Sequence, residues 1–299
     1  VSRELWLKAP AKINLTLEIT GRLRDGYHHL EMVMTTIDLA DRIYIRERED
    51  ENIILTTTSP HLPTDEKNLA FRAARLFQAW SGVRRGVEME LQKHIPVAAG
   101  LGGGSSNAAA VLIGLSQLWN IPISLSDMTQ LALQLGSDVP FFLYQQTAYV
   151  SGRGEIIHPL PPLPPYYVVL ARPPRAVSTG TIFQAFAEME SPHPPIYTPR
   201  MVEAIYARDS KKILGLLTND LEKITFHLYP EVSALKNNMI RFGAEHVLMS
   251  GSGPTVFALF TRYSQARRVY HALRGYLKDV WLLHTLRGQP MMFFAHHRV

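Results

Sequence analysis

The 299-residue chain contains no cysteine. That excludes disulfides, a thiol nucleophile and any cysteine-ligated metal, and it fits a reducing, cytoplasmic setting. Nowhere do apolar residues run for the roughly 18 positions that a membrane-spanning helix needs. The opening stretch, Val1 to Pro10, lacks the apolar core of a signal peptide. No repeat and no low-complexity tract is visible. With 46% hydrophobic and 19% charged residues, the composition excludes a disordered chain. A chain of this length can bury a sizeable core and suggests two domains. The dipeptide Gly-Lys is absent, which removes a Walker A loop. A dinucleotide fingerprint fails as well: from Gly100 it needs glycine at 105, where Ser105 stands, and from Gly102 it needs glycine at 107, where Asn107 stands. The protein-kinase catalytic and magnesium motifs are also missing.

Positive charge is scarce where it would be most expected. No Lys or Arg occurs over the 59 positions from 94 to 152. The formal net charge is +5, from 31 Lys and Arg against 26 Asp and Glu, and the surplus lies elsewhere. Residues 1–150 hold 14 basic and 16 acidic residues, whereas 151–299 hold 17 and 10. Arg267, Arg268, Arg274 and Lys278 could form a basic stripe on one helix. Such a stripe is usually a solvated face, and no nucleic-acid-binding motif accompanies it. Neither a nucleic-acid nor a membrane partner is expected, and oligomeric state is not legible.

Along the chain, Ile13, Leu15, Leu17 and Ile19 alternate with Asn14, Thr16 and Glu18, which predicts a strand with the apolar set on one face. A polar turn follows at Arg24-Asp25-Gly26-Tyr27, then more strand through Ile45. Asn68 to Trp80 reads as a helix, with Leu69, Ala73, Leu76, Phe77 and Trp80 at helical spacing. Val87, Met89 and Leu91 alternate as a strand. Ser126 or Asp127 caps a further helix ending at Gly136. Pro159-Leu-Pro-Pro-Leu-Pro-Pro165 is too proline-dense for a helix or central strand and marks the boundary between domains 1–158 and 159–299. Past a second Pro-rich loop, Ser191 to Pro199, come two short helices, a strand near Val247 and a tight turn from Ser250 to Pro254. A strand over Val256–Phe260, a helix over Tyr263–Leu277 and a strand over Val280–Leu286 complete the pattern. Without regular βαβ alternation, the fold class is α+β.

The strongest local signal is the run Pro96, Val97, Ala98, Ala99, Gly100, Leu101, Gly102, Gly103, Gly104, Ser105, Ser106, leading straight into an Ala-rich helix from about Ser105 to Trp119. Glycines let successive N–H groups turn into one concavity, and a helix N-terminus adds partial positive charge. The pair binds phosphate without a cationic side chain. Ser105 and Ser106 can add hydrogen bonds or reach a metal. Any further cation must come from another part of the fold, or from a metal ion.

This run resembles the glycine loop of the GHMP kinase superfamily (galactose, homoserine, mevalonate and phosphomevalonate kinases), Pro-x-x-x-Gly-Leu-Gly-Gly-Ser-Ser, with one extra glycine. Pro10-Ala-Lys-Ile-Asn-Leu15 and Gly251-Ser-Gly-Pro-Thr255 resemble the family's first and third motifs. Asp25-Gly-Tyr-His28 and Gly136-Ser-Asp-Val-Pro-Phe141 narrow the resemblance to a branch whose acceptor alcohol carries a cytidine diphosphate group. His29 departs from the glutamate more common there. The resemblance spans nearly the whole chain and implies a two-domain architecture with the active site in the cleft between domains.

What the resemblance implies is ATP-dependent phosphorylation of a small alcohol. Asp138 would accept the hydroxyl proton, with Lys12 beside it to keep the carboxylate ionised and favour alkoxide charge. From the residues alone, Ser137-Asp-Val-Pro suits a helix N-cap equally well, and a strand lysine is commonly a solvated edge residue. Lys12 and Asn14 share a face, as a polar cleft wall would require. Loop 96–106 would carry the ATP phosphates, and Asn68 and Lys93 would line the adenosine pocket. Tyr27 and Phe183 would sandwich the cytosine ring, His28 would bond its edge, and Asn14 would contact the acceptor. Phe183 reads equally as helix core, and His28 as an exposed turn residue. Mg2+ is expected with ATP, although no carboxylate ligand can be named. Ser252 and Thr255 either assist the phosphates or serve only the turn. Another acceptor, of the homoserine or mevalonate type, is the alternative within the family.

Overall fold

A computed structural model describes residues 3–22, 28–188 and 196–288. In chain order the elements are β1 (Glu4–Arg22), β2 (His28–Arg48), β3 (Ile53–Thr57), α1 (Leu69–Ser81), β4 (Gly86–Gln92), α2 (Gly103–Leu118), α3 (Leu125–Leu135), α4 (Val139–Tyr144), β5 (Ala148–Gly152) and β6 (Ile156–Pro159). Then come β7 (Tyr167–Ala171), α5 (Thr179–Glu188), α6 (Thr198–Tyr206), α7 (Ser210–Gly215), β8 (Thr218–Asn219), α8 (Glu222–Leu228), α9 (Pro230–Arg241), β9 (Val247–Met249), β10 (Val256–Phe260), α10 (Tyr263–Arg274) and β11 (Val280–His284).

Two sheets organise these elements. The first runs β3-β4-β2-β1-β8, with β5 also paired to β2 and β6 to β5. Strand β2 pairs with β1 along one edge and is long enough to serve two partners on the other, Leu30–Met34 pairing with β5 and Arg42–Arg48 with β4. The second sheet, β11-β7-β10-β9, is antiparallel throughout. The mixture is α+β, as the sequence pattern implied. Strand β8 belongs to the first sheet although it lies far along the chain, pairing parallel to β1 at Thr16 and Leu17.

Strand β1 departs from the simple alternation. Its pairing with β2 is interrupted between Pro10 and Ala11 and again between Asn14 and Thr16. Each bulge turns the following side chains over. Leu7, Ala9, Leu17 and Ile19 therefore enter one core, while Ala11, Ile13 and Leu15 enter another. The apolar set does not share one face, and Thr16 and Glu18 lie opposite Asn14 rather than beside it. Thr16 and Glu18 are buried, and the start of α6 meets them there. Glu18 accepts the backbone N–H groups of Tyr197 at 2.6 Å and Thr198 at 2.8 Å, and Thr198 Oγ1 donates to Thr16. A carboxylate at a helix N-terminus is favoured by the exposed N–H groups and the dipole.

Helix α2 lies on β1 and β2 with small residues on its own contact face, against the Leu7 and Ile45 side chains of the sheet. Ala108, Ala109 and Ala110 are fully buried, and a Cβ at Gly114 would come within 2.5 Å of Leu7. The Ala and Gly spacing thus sets how closely the helix approaches the sheet. Helix α1 begins one residue later than its spacing suggests, because Asn68 is the cap: its Oδ1 accepts the Ala70 N–H at 2.9 Å. Ala70, Ala73, Ala74 and Phe77 form its buried face, whereas Trp80 is exposed. Ser124, not Ser126 or Asp127, caps α3. Pro199 opens α6 instead of ending a loop, and four helices rather than two precede β9. The rest of that Pro-rich stretch lies outside the described residues. Helix α10 stops at Arg274 and β11 at His284, short of their expected ends.

Candidate active site

A cavity of about 900 Å³ opens where β1, the glycine loop, α4 and α5 meet. One wall is β1: Lys12 and Asn14, which share a face as their spacing required, line it with Leu17. Both polar residues are buried. Lys12 Nζ donates to Asn14 Oδ1 at 2.5 Å. Burial pushes the Lys12 ammonium below its ordinary range, and the Asp138 carboxylate partly opposes that shift. The aspartate itself stands at the N-cap position of α4, yet its side chain makes no capping hydrogen bond. A carboxylate serving as a cap would accept an N–H there; this one faces the cavity instead.

The glycine loop forms the floor. Ala98, Gly100 and Gly102 all have positive φ, at 50°, 74° and 68°, which curls the chain tightly before α2 begins at Gly103. Ala99 and Leu101 are buried anchors beneath it. Lys12 N donates to Leu101 O at 3.0 Å, fixing the loop to β1. On the other side the turn 250–254 holds it, with Ser250 Oγ donating to Gly100 O at 3.0 Å. A Cβ on Gly100 would lie 2.2 Å from Ser250 O, and one on Gly102 would lie 2.7 Å from the Phe142 ring. Glycine is required at both places by close approach as well as by φ. Gly103, Gly104 and Ser105 continue the cavity lining, as do Pro96, Val97, Ala98 and Ala99. Ser106 does not line it; its hydroxyl is buried without a hydrogen-bond partner.

At one end of the cavity, His28 and Phe183 approach each other with ring centroids 5.4 Å apart, and Phe186 meets the same imidazole edge-on. Tyr27 lies outside the described residues. Asn68 and Lys93 line the cavity elsewhere. Asn68 is also committed to α1, and its Nδ2 donates to Pro63 O at 2.8 Å. Lys93 is paired with the buried Asp41. Burial holds the Lys93 ammonium below its usual range, and Asp41 opposes that effect.

Several lining residues escape sequence reasoning. Arg153, on the β5–β6 hairpin, lines the cavity; it is the cation that ends the 59-residue gap, which is the signal that could have found it. Lys67, Ser137, Thr179 and Gln184 line it too. In the second glycine turn, Gly251 and Ser252 face the cavity, while Thr255 is buried away from it without a hydrogen-bond partner. Ser252 Oγ shares a hydrogen bond with Thr179 Oγ1 at 2.8 Å, and Asn219 Nδ2 donates to Met249 O and Gly251 O, both at 2.8 Å.

The model of the GHMP kinases N terminal domain matches residues 68–146, and that of the GHMP kinases C terminal region matches residues 201–279. The chain belongs to the GHMP kinases. Among curated relatives, the 4-diphosphocytidyl-2-C-methyl-D-erythritol kinase of a Geobacillus species is 46% identical over 94% of this chain and 97% of its own length. That of Listeria monocytogenes is 44% identical over 94% of this chain and 95% of its own length. Among solved GHMP kinases, a 4-(cytidine 5'-diphospho)-2C-methyl-D-erythritol kinase is 35% identical, with a TM-score of 0.78 over 97% of this chain and 100% of that one. A homoserine kinase from Cytophaga hutchinsonii reaches a TM-score of 0.79 over 97% of each chain at 19% identity, a likeness of fold alone.

Proposed function

We propose that this GHMP kinase transfers the γ-phosphoryl group of ATP to the 2-hydroxyl of 4-diphosphocytidyl-2-C-methyl-D-erythritol, a step in non-mevalonate isoprenoid precursor synthesis. The observation that carries it is one cavity lined at once by the glycine loop, by Lys12 and Asp138, and by His28 with Phe183, in a chain 44–47% identical to kinases of that name. A homoserine- or mevalonate-type acceptor would give the aromatic end no task.

In this account the ATP phosphates lie on the N–H groups of loop 96–105 and the first turn of α2. Asp138 accepts the proton of the attacking hydroxyl. Lys12 stabilises the alkoxide charge as it develops, and Asn14 orients the lysine and the acceptor. Phe183 stacks on the cytosine ring, a contact of roughly 1–3 kcal/mol per base. His28 bonds the edge of the base, and Asn68 and Lys93 border the adenosine. Residues 1–158 and 159–299 act as the two domains flanking the cleft, and the protein works in the cytoplasm.

The donor set suits a magnesium ion carried on the nucleotide. Among the described residues no three His, Asp or Glu side chains converge, so the ATP phosphates would supply most of its ligands and Ser105, which lines the cavity, would add a hydroxyl. When bound, the ion neutralises phosphate charge in a loop that has no cation of its own.

The test is an acceptor screen with purified protein and ATP. Phosphorylation of the diphosphocytidyl alcohol, inhibited by CMP-bearing ligands, is expected. Preference for homoserine or mevalonate, with no competition from CMP, would overturn the assignment of acceptor.

A further inference from the structure

One buried carboxylate has no part in this chemistry. Asp41, on β2, has no exposed surface, yet its two oxygens take four donors. Oδ1 accepts the backbone N–H groups of His94 at 2.7 Å and Ile95 at 2.8 Å. Oδ2 accepts Asn107 Nδ2 at 2.9 Å and the Lys93 ammonium. These donors are 52 to 66 residues away in sequence but have a common location. Lys93, His94 and Ile95 are the three residues before Pro96, where the glycine loop begins. Asn107 follows Ser106, where it ends. A single carboxylate therefore spans the base of the loop and ties its two ends together.

The lysine extends the link. A Cβ on Gly103 would lie 2.9 Å from Lys93 Nζ, so the ammonium sits against the first turn of α2. Anion binding by backbone N–H groups depends on several of them converging at fixed separations. This loop reaches that shape through three consecutive alternate residues with positive φ, one of them alanine, a conformation the chain does not hold unaided.

We propose that Asp41 is a positioning residue for nucleotide binding, fixing the separation of the two ends of loop 96–106 and holding the Lys93 ammonium at the first turn of α2. The inference rests on the loop being the ATP phosphate site. Asp41 acts through Lys93, Asn107 and the backbone at 94–95, and it touches no substrate. A carboxylate that merely stabilised the fold would, when altered, impair ATP and acceptor equally. A positioning role makes the loss fall on ATP.

The experiment compares the unaltered enzyme with Asn107→Ala, Asp41→Asn and the exchanged pair D41N/N107D. It reads kcat, KM for each substrate, and binding of a non-hydrolysable ATP analogue by calorimetry. Asn107→Ala removes the α2 side of the tie within an already Ala-rich turn; ATP KM and analogue Kd should rise about tenfold, as loss of a hydrogen bond to a charged group implies. Acceptor KM should stay within about twofold, below that same scale. Asp41→Asn should do the same to a greater extent, because the amide turns a donor toward Lys93 and Asn107. The exchanged pair returns a carboxylate to Lys93 and should recover most of the loss. Unchanged ATP parameters in Asn107→Ala, or equal losses for both substrates, would overturn the proposal. So would an exchanged pair no better than Asp41→Asn. Asn107 itself lines the cavity, so the Asp41 variants decide. If Asp41→Asn fails to fold, Asp41→Glu, which keeps the charge but shifts the carboxylate, takes its place, and unchanged ATP parameters there would overturn the proposal. Failure of the unaltered enzyme to bind the analogue would instead refute the loop as the ATP site, and this inference with it.

Discussion

Replacing Gly100 with alanine puts a methyl group where another segment's backbone already lies. The residue has φ +74°, a conformation that costs an L-residue about 1–2 kcal/mol. The added Cβ would be 2.2 Å from Ser250 O and 3.0 Å from Gly253 O. Both are main-chain atoms, so no rotamer change relieves the overlap. The loop must lift from the turn 250–254, losing the Ser250–Gly100 hydrogen bond and exposing part of Leu101. Those losses add about 1 kcal/mol for the bond and up to roughly 2 kcal/mol for the side chain. A total of about 2–5 kcal/mol corresponds to a Tm lower by roughly 3–8 °C in a protein of this size. Gly82→Ala is the matched control: its φ is +67°, yet a Cβ there meets nothing within 4 Å. It should show the conformational part alone, about 1–2 kcal/mol. Thermal unfolding of both variants separates φ from contact, and ATP KM in Gly100→Ala should rise with the displaced loop. Equal Tm values for the two variants would refute the docking of loop on turn as the reason for glycine at 100.

Asp138→Asn should lower kcat by about two to four orders of magnitude, the range of a positioned general base, with at most a modest fall in Tm: the side chain caps nothing, but its charge opposes the burial cost of the Lys12 ammonium. Unimpaired turnover would remove it from the mechanism. Lys12→Met should lower kcat about 10²- to 10³-fold, while Tm at pH 7 does not fall, since the substitution removes a charge that burial disfavours; a clear loss of Tm would show the ammonium to be stabilising. Burial raises the folded-state pKa of Asp220, with Glu18 adding to the shift against the Ile19 N–H and Lys223. Its ionisation therefore opposes folding, and the contribution worsens as pH rises from the unfolded carboxylate range of about 4 through the folded value. Asp220→Asn should be more stable than the unaltered protein at pH 7, with the gain gone below about pH 4 in denaturant titrations; a gain that grows on acidification would reverse the sign.

What could be read from the sequence followed local rules. The glycine loop, the Ala-rich helix behind it and the alternation of β4 depend on neighbours in the chain, and each is found near where its pattern puts it, the helix starting two residues early at Gly103. Lys12 and Asn14 share the cavity wall because two residues between one bulge and the next keep their alternation. Thr16 and Glu18 were misassigned because a bulge has no reliable signature in a single sequence, yet it inverts every side chain after it. The Asp138 cap alternative could not be decided from Ser137-Asp-Val-Pro, since a cap and a cavity carboxylate use the same residues. Asp41 was invisible for another reason: its four partners lie more than 50 positions away, and no local pattern marks such a tie. Arg153 is within reach, being the cation that closes the span without Lys or Arg.

The seat of the glycine loop is made late. Gly100 rests on Ser250, and Thr16 and Leu17 gain their outer strand from residues 218 and 219. During synthesis at roughly 5–20 residues per second, the loop emerges about 8–30 s before the turn that holds it. Over that interval the nascent chain has the glycine loop without the backbone that shapes it. With the loop as the proposed ATP site, stabilisation of the fold by ATP would begin only after the 250–254 turn has been made.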